Sequence, residues 1–196
     1  MRRARLFTSH FVLLPDGSLG KWPVVELAAD GRILSLELHP EGLRERPGME
    51  LLGGLLLPAL LDVAGSASFV FGGRDLNRHY AGGTCVLGGC TEVDSTGAVP
   101  LVVKGVESEL LQGPVLGRGR DDFQLPLLSR LDAYMALHPE GDWLGILHAA
   151  TALAAEAAGL ELGRMEVGAR PGLLLLKGLD LGAMKWRGRG AILRLT

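Results

Sequence analysis

The stretch Gly53-Gly54-Leu55-Leu56-Leu57-Pro58-Ala59-Leu60-Leu61-Asp62-Val63-Ala64-Gly65-Ser66 decides the fold of this chain. With the two leucines before it, its first part forms the run 51–57, which contains only leucine and glycine. A continuous apolar run of this length predicts a strand that is buried on both faces. A second apolar run leads to Asp62, so the sequence places a carboxylate near the end of a buried strand.

This stretch resembles the signature opening of the amidohydrolase superfamily, in which Gly-Gly, three apolar residues, Pro-Gly, two apolar residues and Asp lead into His-x-His. The resemblance implies the first strand of a barrel, whose two histidines hold the catalytic metal. In this sequence those two positions are Ala64 and Ser66. A methyl group and a neutral hydroxyl cannot replace imidazole as ligands for a divalent metal. The resemblance therefore implies an inherited scaffold without the family's metal site, and we expect no metal and no cofactor.

A second stretch, near the other end of the chain, resembles the same family. Residues 163–176 are similar to the family's run Gly-x-Ile-x-x-Gly-Lys-x-Ala-Asp-Leu-Val-Leu-Leu, which returns the chain from the barrel to a small β-domain. Two positions depart from that run, because Pro171 stands where the family has Ala and Gly172 where it has Asp. The two resemblances together imply a composite domain built from both ends of the chain.

Turn residues and periodicity place the other elements. Asp30-Gly31 between two apolar runs predicts a hairpin. Pro126 suits the first turn of one helix, whereas Asp142 can cap a second helix and Gly159 can end it. Strands are expected over residues 5–14, 22–29, 32–38, 51–57, 82–87, 100–106, 172–177 and 190–195, helices over 126–138 and 142–158, a short helix or turn over 74–81, and a loop over 110–122.

The distance between the two family-like stretches is too short for a complete barrel. A (β/α)8 barrel takes about 250 residues, whereas 102 residues lie from Pro58 to Gly159. We therefore predict a mixed α/β fold with a composite, β-sandwich-like domain over residues 1–57 and 163–196. The other predicted domain, residues 58–162, is a truncated remnant of a (β/α)8 barrel with two C-terminal helices.

The composition argues against several classes of partner and location. A net charge of −2 over 196 residues offers no basic face for nucleic acid. The apolar runs are shorter than the about 20 residues that cross a bilayer, so no membrane is expected. Two cysteines, Cys85 and Cys90, do not indicate a disulfide framework, and we expect a reducing, cytoplasmic location.

The expected assembly follows from the truncation. A partial barrel cannot close on itself, so it leaves a strand edge and an apolar face without their original cover. Self-association is the simplest cover, and the sequence therefore predicts a homodimer. The competing interpretation is that residues 107–141 fold back as a lid and the protein stays monomeric.

The candidates for a binding site are His79, Cys85, Glu92, Asp94 and Ser95. The last three follow the second expected barrel strand, at the end where such folds place their chemistry. The ordinary alternatives are a surface histidine, a buried thiol and a solvated polar cluster. Lys104 is the one candidate for the family's metal-bridging lysine, and we interpret it as an ordinary lysine because the first-strand ligands are absent. No residue is predicted to be catalytic, and no two histidines are spaced for one metal.

These observations favour a catalytically inactive, amidohydrolase-like protein with a structural, partner-binding or small-molecule-binding role. Two alternatives stay open. One is a hydrolase of C–N bonds with a site rebuilt from His79, Cys85 or the 92–95 cluster. The other is a subunit that completes its active site with residues of a second copy.

Overall fold

The computed structural model describes residues 4–64, 73–88, 101–103, 106, 108–111, 115–116 and 125–196. This part of the chain contains ten strands and a smaller number of helices, so the predicted mixed α/β class is confirmed. The strands are β1 (Arg5–Leu13), β2 (Leu19–Lys21), β3 (Pro23–Leu27), β4 (Ile33–Leu38), β5 (Met49–Leu57), β6 (Leu60–Asp62), β7 (Thr84–Gly88), β8 (Leu101–Val103), β9 (Leu174–Asp180) and β10 (Lys185–Arg194). The α-helices are α1 (Gly73–Ala81), α2 (Leu127–Leu137), α3 (Trp143–His148) and α4 (Ala154–Ala158).

The larger sheet contains strands from both ends of the chain. Its order is β10-β9-β5-β1-β3-β4, and β2 pairs with β1 outside this path. β5 lies parallel to β1 and antiparallel to β9, with Leu55 opposite Leu176. The hairpin that Asp30-Gly31 predicts joins β3 to β4, and Gly31 has the positive φ of 81° that its turn requires. The division of the chain into two domains, and the sandwich-like form of the first, stay predictions.

The smaller sheet consists of β6, β7 and β8 in parallel. Beyond the end of β6, a parallel bridge joins Ala64 to Val106, and the amide of Val106 donates to the carbonyl of Val63 at 2.8 Å. Among the residues that the structure describes, these strands do not form a closed barrel. β6 thus has one parallel neighbour, β7, which pairs in parallel with β8 on its other side.

β5 separates two apolar cores. Leu55 and Leu57 contact the core that includes β6, β7 and the helices, whereas Leu56 belongs to the core on the opposite face of the sheet. The prediction of burial on both faces is thus confirmed for the second half of the run 51–57. It is wrong for the first half, because Leu51 is 60% exposed. β9 pairs with β5 only at residues 55–57 and leaves the first half without that neighbour.

The helices begin largely where the sequence predicts. Pro126 precedes α2, the Asp142 carboxylate accepts a hydrogen bond from the Gly145 amide at 2.8 Å, and Gly159 ends α4 with a φ of 64°. The expected helix 142–158 is interrupted by a π-helical turn at Ala149–Leu153, which sequence periodicity did not indicate. A 3-10 turn at Glu109–Leu111 overlaps the start of the predicted loop 110–122.

None of the helices in the described part of the chain is long and apolar enough to cross a membrane.

Candidate functional site

The end of β6 places a carboxylate inside the apolar core. Leu60, Leu61 and Asp62 form this short strand, and none of the three is more than 1% exposed. Asp62 is the last residue of β6, at the edge where the carboxyl ends of the three parallel strands meet. In (β/α)8 barrels this edge carries the catalytic groups. Asp62 therefore lies at the edge of the smaller sheet that corresponds to the functional edge of such barrels.

The partner of Asp62 comes from α2. Nη2 of Arg130 lies 2.7 Å from Oδ2 of Asp62, and the two side chains are 7% and 0% exposed. The contact is an ion pair by distance, but its angles fall outside those of a hydrogen bond. Arg130 is flanked on the same helical face by Leu127 and Leu131, which are fully buried. The packing of α2 therefore carries a guanidinium into the core at the end of β6.

The neighbours of Asp62 beyond the strand end are small and closely packed. Ala64 is 7% exposed and forms the bridge to Val106. A Cβ added to Gly88, at the end of β7, would lie 2.6 Å from the carbonyl oxygen of Val63. The backbones of β6 and β7 thus meet closely at this edge. Ser66, the second family ligand position, lies outside the described residues.

These residues do not fit the metal that the family resemblance implies. The group next to Asp62 is a guanidinium, which is always positively charged and opposes a divalent cation at the same carboxylate. Ala64 offers no ligand atom. In the described part of the chain, no three His, Cys, Asp or Glu side chains come together as a metal site would require. We therefore derive no reaction step through a metal.

His79 and Cys85 lie on neighbouring elements, α1 and β7. His79 is fully buried, so the expected alternative of a surface histidine is wrong. Cys85 is half-buried, and its sulfur faces the larger sheet. Nη1 of Arg194, on β10, donates to Sγ of Cys85 at 2.9 Å.

The Arg194 side chain ties Cys85 to the end of α1. Its Nη2 donates to the carbonyl oxygen of Tyr80 at 2.7 Å, and its guanidinium lies 3.7 Å from the centre of the Tyr80 ring. Arg194 thus links β10 of the larger sheet both to β7 and to the last turn of α1. This arrangement fits a role for Cys85 and Arg194 in joining the two sheets.

The other sequence candidates are not placed. Glu92, Asp94 and Ser95 lie outside the described residues, as does Lys104. Their proposed cluster, and the ordinary role assigned to Lys104, stay predictions.

Arg130 is the residue that the sequence interpretation missed. It is 68 positions from Asp62 and belongs to no motif. One signal was present: with Leu127 three positions before it and Leu131 directly after it, Arg130 lies on the apolar face of its helix. A charged residue on such a face is rarely buried without a partner of opposite charge. The pattern predicts a buried ion pair, but it does not identify Asp62.

Comparisons with known proteins give partial structural likenesses. No family model matches the sequence, and no curated protein matches it. An amidohydrolase from Brucella melitensis is 18% identical over 39% of this chain, with a TM-score of 0.27. An N-acetyl-D-glucosamine-6-phosphate deacetylase from Mycobacterium smegmatis is 20% identical over 43% of this chain, with a TM-score of 0.33. A beta-aspartyl dipeptidase from Fervidobacterium islandicum AW-1 is 13% identical over 69% of this chain, with a TM-score of 0.25.

This chain spans 15%, 24% and 32% of the lengths of those three structures, in the same order. The structure is thus weakly and partially similar to solved hydrolases.

Proposed function

We propose that this protein is a catalytically inactive, amidohydrolase-like protein that acts by binding or as a structural component. The observation that carries the proposal is the buried ion pair between Arg130 and Asp62 at the end of β6. The resemblance of the sequence implies a metal at this strand end. A side chain of this protein supplies positive charge there instead.

The electrostatics of the pair support a stable, metal-independent centre. A buried carboxylate needs a compensating charge, because its transfer from water into an apolar interior is costly. Arg130 provides that charge from within the chain and keeps it at every physiological pH. Asp62 then needs no exogenous cation. A strand end that requires no metal has the charge balance of a scaffold rather than of a Lewis-acid site.

The test is metal analysis of the purified protein. We expect dialysed protein to contain well under one equivalent of zinc, iron or manganese, and added Zn²⁺ to leave the unfolding transition unchanged. Asp62→Ala provides the comparison, since a metal held by Asp62 would be lost from this variant. Stoichiometric metal in the natural protein that disappears in Asp62→Ala would refute the proposal.

The alternative is a hydrolase of C–N bonds with a rebuilt site. The contact that favours it is the 2.9 Å hydrogen bond from Arg194 to Cys85, because nucleophilic cysteines commonly have a positively charged neighbour. The same contact joins β7 to β10, so it has a structural explanation as well. Hydrolysis of an amide library that is abolished by Cys85→Ser, with unchanged folding, would establish the alternative. We expect no such activity.

A further inference from the structure

We draw no further inference here: the strongest candidate, the open cavity of about 660 Å³ between the start of β1 and the turn that joins β3 to β4, carries nothing, because its charged side chains, Arg5 and Asp30, are already held in exposed ion pairs and nothing in the structure shows what fills it.

Discussion

Asp62 and Arg130 form a buried charge pair next to apolar side chains of the core. Leu61, Leu127 and Leu131 are at most 1% exposed and contribute to the same core. Removing two charges from water costs several kcal/mol per ion, and the attraction between them offsets that cost only in part. The pair is therefore better explained by what it specifies, the docking of α2 on β6, than by a gain in stability.

Breaking this pair should be strongly destabilising. We expect Arg130→Met and Asp62→Asn each to lower the free energy of unfolding by about 3 to 5 kcal/mol, because each leaves a buried group uncompensated. The double variant should lose less than the sum of the two single losses, since it removes both charges together. Urea unfolding followed by circular dichroism measures the free energy of unfolding of the two single variants and the double variant.

The control for this cycle is an exposed ion pair. Arg187 contacts Asp180 on the β9–β10 hairpin, and the Arg187 side chain is 65% exposed. Arg187→Met should unfold at the same urea concentration as the natural protein, because solvent screens such pairs. Additive losses at positions 62 and 130 would contradict a direct coupling between them.

At the scale of elements, one glycine sets how β5 meets β9. Gly54 has a φ of 151°, and a Cβ at this position would lie 2.5 Å from the carbonyl oxygen of Leu176. Immediately beyond it, Leu55 is paired with Leu176. The close backbone approach of Gly54 thus belongs to the junction between the two ends of the chain.

The neighbouring glycine provides a matched comparison. We expect Gly54→Ala to cost about 1 to 3 kcal/mol of stability, through backbone strain and contact with Leu176. Gly53→Ala should be nearly neutral, because a Cβ there meets no atom within 4 Å. Chemical denaturation of the two variants under identical conditions tests this difference, and equal losses would disprove the role assigned to Gly54.

The cap of α3 is a second local device. Asp142 accepts a hydrogen bond from the amide of Gly145, which otherwise has no partner within the first helical turn. Asp142→Ala should lower stability by about 1 kcal/mol, whereas Asp142→Asn should retain most of it, since Asn caps about as well. Thermal unfolding of both variants tests the cap. If Asp142→Asn lost as much stability as Asp142→Ala, the charge of Asp142 rather than its capping hydrogen bond would matter at this position.

At the scale of the whole molecule, several apolar side chains remain exposed. They include Leu51 on β5, Leu137 at the end of α2 and Val167, which are 60%, 78% and 64% exposed. β8 forms one edge of the three-stranded sheet within the described residues. Exposed apolar groups and open edges favour association with another chain.

We propose that a homodimer covers part of this surface, with the side formed by residues 58–162 in the contact. Light scattering at micromolar concentration should give twice the 20.8 kDa mass of one chain. Leu137→Glu should shift the mass toward that of the monomer. Leu34→Glu, at a residue 46% exposed on β4, is the control and should not. The mass of a single chain for the natural protein would favour the alternative in which residues 107–141 act as a lid.

The elements that the sequence predicts well are those with local causes. Asp142 caps its own helix, Gly159 takes the left-handed conformation at the helix end, and Asp30-Gly31 turns the chain between two adjacent strands. Each effect depends on residues only a few positions apart, so composition and spacing are sufficient. The alternation of Leu55, Leu56 and Leu57 between two cores follows from strand geometry in the same way.

The contacts between distant parts of the chain were decided by tertiary structure. The apolar run 51–57 predicts that Leu51 is buried. Leu51 is exposed instead, because β9 pairs with only the last part of β5. The sequence places Arg130 on the apolar face of its helix, but only the docking of α2 places it 2.7 Å from Asp62. Local chemistry specifies a residue's backbone and its preference for burial. Which group it meets depends on how sheets and helices pack across the core, and no pattern of neighbouring residues encodes that.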